Sequence, residues 1–481
     1  MLKVLLINPP QYYYKGSSMF NVYFPIGLIS MASMIEKISH VRLLDCLIEG
    51  FRKERTGDRT RYGSSKQTIE GELSKQMPDI IGISAPFSAQ KGSVFETVDL
   101  CRKVCPQAII VIGGPDATVQ PGEYAKIGDY VITGEGEITL YELVKRISNG
   151  EHLCDTDGIA FLKAGRLVCN KTRYIDDLDG LPLPAYHLLD MKRYFSNKYL
   201  YRNRSILSDR SISIQTSRGC PYSCTFCSIH LHTGRIYRAH SPEYVLRHIR
   251  HLISYGIRNF HFEDDNLTLD RNRFEQILSL IYPLGINWDT PNGVRADTLD
   301  YSLLLKMKSA GCKALTIAIE SGEPRVLRQI KKNLDLRKVE ETASSCKRAG
   351  LRLSAFYMIG LPGETISDMK TTADLAVRML DEYDVIPNLN IATPLIGTEL
   401  YDLCKEKKYI SEVSDQGLSE GTQIYGTPLI TTDEFGSEDI GNLLKYYKRR
   451  LAIGIMKFAA RHPFTIVRSA FSGKTDLRSL F

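Results

Sequence analysis

The sequence predicts two α/β units in succession: an N-terminal doubly wound, Rossmann-like parallel sheet, then a partial (β/α)6 TIM-type barrel, followed by a helical C-terminal tail. Three observations predict it. Short apolar runs alternate with helix-length segments over the first 145 residues. The same alternation restarts at Ser211, after a stretch of turn chemistry. Three cysteines fall within eight residues directly behind the first run of that second series.

In chain order, Lys3–Ile7 reads as a strand stopped by Asn8-Pro9-Pro10, and Ile26–Ile38 has helical length. Val41–Leu44 ends at Asp45, Asp79–Ser84 is stopped by Pro86, and Ser93–Val104 is helical. Ala108–Ile112 breaks at Gly113-Gly114-Pro115, and Asp129–Ile132 at Gly134-Glu135-Gly136-Glu137. Ligands of such sheets bind at the carboxyl ends of the strands. The candidate binding loops are therefore Asn8–Gln11, Ser84–Phe87, Gly113–Asp116 and Thr133–Glu137. Asp157-Gly158, Ala164-Gly165 and the Asp176–Pro184 run predict a small hairpin and an extended linker over 146–205.

The barrel, over 206–405, takes its strands from Ser211–Thr216, Asn259–Glu263, Asn287–Thr290, Ala314–Glu320, Leu353–Ile359 and Val385–Thr393. Helices at Pro242–Tyr255, Arg271–Tyr282, Asp300–Ala310, Lys338–Ala349 and Glu364–Met379 fall between them. Over 406–481, Ile440, Leu443, Leu444, Tyr447, Leu451, Ile455 and Phe458 form an apolar stripe at helical spacing. Pro463 ends that helix, and Phe464–Phe471 is again largely apolar.

Composition narrows the class. Of 481 residues 43% are apolar and 24% charged, which suits a globular chain. No apolar run approaches the ~18–20 residues that cross a bilayer, and the apolar start is too short for a signal peptide. A cytoplasmic location is expected. Eleven scattered cysteines then point to free thiols or metal ligands rather than a disulfide scaffold. Residues 441–481 hold nine Lys or Arg against one acid, a local +8, so of the net charge of +7 the rest of the chain contributes about −1. Such a tail serves either as a helix packed on the barrel or as a peripheral contact with an anionic membrane or substrate. Aromatic-interleaved RNA platforms are missing, so no nucleic-acid partner is expected.

The sharpest local signal is Cys220-Pro221-Tyr222-Ser223-Cys224-Thr225-Phe226-Cys227, a C-x3-C-x2-C spacing. Thiolates in this pattern bind an iron–sulfur cluster or zinc. Three cysteines on a [4Fe–4S] cube leave one iron open to a substrate or cofactor. The competing arrangement is a Cys3His zinc site completed by His230.

The motif resembles that of the radical S-adenosylmethionine (SAM) enzymes, whose loop after the first barrel strand carries this spacing with an aromatic before the last cysteine. The resemblance extends to His261–Asn266, Asn292–Asp297, Ile319–Gly322, Met358–Glu364 and Pro394–Thr398 at successive strand ends. Ile7–Pro10, Phe24–Leu28, Gly113–Pro115 and Gly134–Glu137 resemble the cobalamin-binding domain preceding the barrel in class B members. Together these motifs span residues 1 to about 405.

The resemblance implies Cys220, Cys224 and Cys227 as ligands of a [4Fe–4S] cluster. It implies Phe226, Glu263, Asp264, Asp265, Arg295, Glu320, Ser321 and Gly360 around SAM, and Gln11, Ser84, Ala85, Gly113, Gly114, Gly134 and Glu135 around cobalamin. A solvated strand end or helix cap is the alternative for the three strand-two acids, and a structural ion pair for Arg295. The D-x-H-x-x-G cobalamin signature is absent, so the implied cobalamin has no histidine from the ligand loops beneath its cobalt. No G-x-G-x-x-G opens the first helix, which disfavours NAD.

The implied reaction cleaves SAM to a 5′-deoxyadenosyl radical, and methylcobalamin methylates an unactivated carbon or phosphorus centre. An oxidative cyclase of the anaerobic magnesium-protoporphyrin ester type is the alternative from the same branch. A non-catalytic corrinoid- or metal-binding protein is the alternative from another class. A tRNA methylthiotransferase needs a second N-terminal cluster, and only Cys46, Cys101 and Cys105 lie in that region. The expected partners are a small-molecule or lipid-like substrate and a flavodoxin- or ferredoxin-type electron donor.

Overall fold

The computed structural model describes the chain apart from residues 15–19, 198, 201–206, 208–209, 412–413, 415–416, 419–420, 423–425 and 463–481. The chain divides into two units. The first is Met1–Leu200 with Ser228–Arg238 and Val413–Glu420; the second is Tyr201–Cys227 with Ala239–Glu412 and Gly421–Phe481.

The first unit holds a seven-stranded sheet in the order Ser39–Asp45, Leu2–Asn8, Ile80–Ser84, Ile109–Gly113, Tyr130–Ile132, Ile159–Lys163, Arg166–Cys169. The first five strands are parallel. The last two are the expected hairpin, turning at Ala164-Gly165 with both residues at positive φ, and they extend the sheet antiparallel. Strand order reverses at Leu2–Asn8, so the crevice for a ligand opens between its carboxyl end and that of Ile80–Ser84. Leu5, Ile7, Ile81, Ile83, Ile110 and Ile112 pack with Val94, Val98 and Cys101 of the helix Lys91–Val104. Helices cover a parallel sheet in this way, and its strands read as unbroken apolar runs.

Two differences from expectation have local causes. The first helix stops at Ile35, and the chain turns into the strand Ser39–Asp45. A second sheet of Gln11–Tyr14, Arg59–Ser64 and Phe51–Thr56 is antiparallel and was not foreseen. The strand Phe51–Thr56 reads FRKERT and exposes five of its six residues, so it carries no apolar alternation to detect.

The second unit is a sheet of six parallel strands in sequence order: Ser211–Ile214, Asn259–Phe262, Asn287–Val294, Cys312–Glu320, Arg352–Ile359 and Ile386–Ile391. Each expected barrel strand is present. One face carries Phe260, Phe262 and Trp288 against Phe274 of the helix Arg271–Ile281. On the opposite face polar pairs cross neighbouring strands: His261 Nδ1 with Asp289 at 2.6 Å and Thr316 with Ser354 at 2.9 Å. Helix starts are fixed by Ser241, Asp270, Asp300, Asp335 and Thr365, each side chain accepting a backbone N–H of the first turn. Each such cap contributes about 1 kcal/mol.

The tail helix Ser437–Arg461 packs along Ile366–Tyr383. Ile440, Leu443, Tyr447 and Phe458 of the expected stripe are buried, and Phe458 meets Leu380. Tyr446 donates to Asp374 at 2.6 Å, while Lys457 and Arg461 reach Asp381 and Asp384 at 3.0 and 3.2 Å. Of the two uses of the tail, packing on the barrel unit is the one visible over this segment. Pro463 and Phe464–Phe471 lie outside the described residues. Among the described residues no helix is long and apolar enough to cross a membrane.

Candidate functional site

Cys220, Cys224 and Cys227 are half-buried, none of them in a disulfide, on an irregular segment that follows the two-residue strand Ser217–Arg218. Its centre is anchored twice. Thr225 N–H donates to Ile330 O at 3.1 Å, and Thr225 O accepts from Leu400 N–H at 2.9 Å. Both partners lie beyond later barrel strands, so the loop is held by the barrel as well as by its own turn, in which Cys227 N–H donates to Cys224 O at 3.1 Å. Among the described residues no three His, Cys, Asp or Glu side chains gather round one ion position. A [4Fe–4S] cube would take each of the three thiolates on a different iron.

The strand-two acids are divided. Asp264 is fully buried, and its Oδ1 accepts from Thr216 N–H (3.1 Å), the Thr216 hydroxyl (2.7 Å) and the Ser217 hydroxyl (2.5 Å). Asp265 accepts from Gly219 N–H at 2.7 Å. Both carboxylates thus hold the chain that leads into Cys220. Glu263 instead accepts from Ser213 at 2.7 Å across the strands. Arg295 forms the structural ion pair weighed for it: it bonds Asp297 at 3.0 and 2.6 Å and Lys332 O at 3.1 Å, and its guanidinium lies 4.0 Å over the Tyr222 ring.

Glu320 ends the fourth strand at φ +72, buried, with its carboxylate 3.3 Å from Lys332 Nζ. Sequence reading missed Lys332, which carries no motif of its own; only the fold brings it beside Glu320. Ser321 is fully buried, 3.2 Å from Thr372 and accepting Glu323 N–H at 3.1 Å. Gly360 turns at φ +84, and a Cβ there would stand 3.0 Å from Ile440. Phe226 is half-buried. Glu364 was noted only as part of its motif. It is wholly buried and accepts Leu361 N–H at 2.8 Å, and burial pushes its carboxyl up to about 8. Gln329 and Arg325 fix the same turn by donating to Pro362 O (2.7 Å) and Gly363 O (3.0 Å).

In the first unit, Ser84, Gly113 and Ile132 are aligned on adjacent strands, which brings their loops together. Ala85 N–H donates to Gly113 O at 2.7 Å. Gly114 has φ +124, and a Cβ there would lie 2.8 Å from Ala85 O, so no side chain fits. Gly134 is similarly closed by Arg173 O at 2.7 Å. Backbone without side chains suits the close approach of a flat macrocycle. Glu135 is buried, and its Oε2 accepts from Ile175 N–H and Arg238 Nη1, both at 2.5 Å. Gln11 is buried on Gln11–Tyr14 and accepts from Tyr13 at 3.3 Å. Phe87 stands exposed beyond Ser84. The loops carry no histidine, but the helix Ile229–Thr233, with His230 and His232, belongs to this unit and lies against Pro115–Val119.

Comparison with known proteins matches these two regions. Residues 17–144 fit the B12 binding domain family and residues 214–376 the radical SAM superfamily. The chain is 28% identical to an uncharacterized methyltransferase of Pyrococcus horikoshii, over 98% of this chain and 97% of that one. It is 29% identical to the cytidylyl-2-hydroxyethylphosphonate methyltransferase of Streptomyces wedmorensis, over 85% and 82%. An anaerobic magnesium-protoporphyrin IX monomethyl ester cyclase of Cereibacter sphaeroides is 25% identical, over 81% and 63%. The fold resembles that of the radical SAM methyltransferase TsrM from Kitasatospora setae, with TM-score 0.67 and 17% identity over 85% of this chain and 78% of that one. A B12-binding domain followed by a radical SAM domain makes a [4Fe–4S] cluster, SAM and cobalamin its cofactors, and the chain belongs to the cobalamin-binding branch of the radical SAM superfamily.

Proposed function

We propose that the protein is a cobalamin-dependent radical SAM methyltransferase acting on an unactivated carbon or phosphorus centre of a small-molecule or lipid-like substrate. The observation that carries this reading is the Cys220–Cys227 loop, anchored through Thr225 at the carboxyl ends of a six-stranded half-barrel, in a chain that also holds the B12-binding sheet. When bound, the reduced cluster and SAM supply a 5′-deoxyadenosyl radical, and cobalamin supplies the methyl group.

The chain's own residues bind and orient. Glu320 and Lys332 present opposite charges beside the cysteine loop, matched to the ammonium and carboxylate of SAM. Glu263 and the polar inner face of the sheet offer hydrogen bonds to ribose or substrate. Phe226 and the backbone at Gly360 provide flat surface for the adenine. Ser84-Ala85, Gly113-Gly114 and Gly134 form the floor for the corrin. A flavodoxin- or ferredoxin-type donor would supply the electron, and a cytoplasmic location goes with such a donor.

Methyl transfer is favoured over oxidative cyclisation because the two methyltransferase relatives align over more of their length and at higher identity than the cyclase. The test is anaerobic reconstitution with iron, sulfide and hydroxocobalamin, followed by turnover with methyl-labelled SAM and candidate substrates. Label in a methylated product, with 5′-deoxyadenosine formed alongside, supports the proposal. An oxidised, cyclised product without label overturns methyl transfer, and a protein that takes up neither cluster nor corrinoid overturns the whole reading.

A further inference from the structure

The three residues after Glu263 track the cysteine loop in step. Asp264 takes Thr216 and Ser217, Asp265 takes Gly219, and Asn266 comes to Cys220 itself, with Nδ2 3.9 Å from Sγ. Asn266 is 3% exposed, and its Oδ1 is buried with no hydrogen-bond partner. Its place is therefore fixed by its two neighbours, and its amide is aimed at the cysteine sulfur. At 3.9 Å the contact is at the long end for a nitrogen donor on sulfur, close enough to tighten when the sulfur carries charge.

We propose that Asn266 donates an N–H···S hydrogen bond to the Cys220 thiolate and sets the reduction potential of the cluster. This rests on the cluster assignment above. A cluster gains negative charge on reduction, and part of that charge resides on its cysteine sulfurs. A donor to one of them stabilises the reduced form more than the oxidised form and raises the potential. The effect has local value here. Asp264 and Asp265 place two carboxylates next to the loop, and negative charge there makes reduction harder. Asn266 continues the same run with an uncharged donor.

The experiment uses the full chain, reconstituted anaerobically, with iron counted and the cluster titrated potentiometrically by electron paramagnetic resonance. Wild type, Asn266→Ala and Asn266→Asp are compared without SAM. All three are expected to hold the same iron. At a fixed poise the Ala variant should show about a tenfold lower ratio of reduced to oxidised cluster, which is a 59 mV shift for one electron. The Asp variant should shift further in the same direction. As a measurement independent of substitution, wild-type protein grown with 15N-labelled asparagine should show a 15N coupling to the reduced cluster in pulsed resonance spectra.

Equal potentials at full iron content would overturn the proposal, as would an absent 15N coupling in the wild type. If the variants lose iron, the labelled wild type decides alone. A wild type that takes up no cluster would instead remove the functional reading on which the proposal stands.

Discussion

Removing the Lys332 ammonium tests whether the Glu320–Lys332 pair serves the fold, the cofactor, or both. Each side chain is only 8% exposed, and the two are 3.3 Å apart. Lys332→Met leaves Glu320 buried and unpaired. Breaking a buried pair from one side costs about 3–5 kcal/mol. At roughly 2–4 °C per kcal/mol for a domain of this size, the barrel unit should melt about 10 °C lower. Glu320→Gln combined with Lys332→Met leaves no lone charge, so most of that loss should return. SAM affinity should not return with it. A charge-assisted bond to a carboxylate contributes about 1.5–3 kcal/mol, so the double variant should bind SAM roughly 10- to 150-fold more weakly. Thermal melts and anaerobic equilibrium dialysis with labelled SAM read the two effects separately. A double variant that binds SAM within about threefold of wild type would refute the cofactor role and leave Lys332 a structural counter-ion.

Other outcomes follow from the same geometry. Wild type should take up about four irons and four sulfides per chain, and replacing Cys220, Cys224 and Cys227 by alanine should abolish both this uptake and 5′-deoxyadenosine formation, measured by iron assay and chromatography. Glu364 is protonated in the folded protein well above its ordinary range, up to about 8. The folded state therefore binds the extra proton, and the stability linked to this group falls as pH rises from about 4.5 to 8, by up to about 5 kcal/mol. Glu364→Gln should lose that slope in denaturant titrations across the window, and an unchanged slope would contradict the burial argument. Phe458→Ala should cost about 3–5 kcal/mol through the cavity left against Leu380. Stopping the chain before Ser437 should make it aggregate, whereas salt-sensitive co-sedimentation of the intact protein with anionic vesicles would assign its tail to a membrane surface. Gly114→Ala should abolish corrinoid uptake, read from the visible spectrum, because its Cβ would collide with Ala85 O.

What the sequence disclosed follows from the kind of signal each element carries. The parallel strands were legible because both faces are buried, so Leu2–Asn8 and Ile80–Ser84 appear as plain apolar runs. Four of the six barrel strands ended close to a glycine, proline or acid, whereas Asn287–Val294 runs on through Pro291 and Gly293, beyond the expected end at Thr290. The strand Phe51–Thr56 was invisible because its residues face solvent. At the site, the cysteines were legible from spacing alone, since a metal cluster demands several ligands at once. The single polar residues were not. Asp264 and Asp265 lie in a motif that suggests cofactor contact, yet their hydrogen bonds run to the loop before Cys220. Lys332 lies 12 residues beyond Glu320, and no periodicity links the two. Residue type and spacing show which groups are present, whereas burial and partners decide how each is used.

The segment Ser228–Arg238 leaves the cysteine loop, enters the first unit and returns to the barrel. Arg238 is the cation for buried Glu135, the two side chains each 5% exposed. A fragment ending near residue 205 would retain Glu135 and lose Arg238, and the stranded carboxylate would cost roughly 3–5 kcal/mol. The B12-binding sheet is thus not a portable cassette. Swapping it between relatives requires the segment Ser228–Arg238 to travel with it.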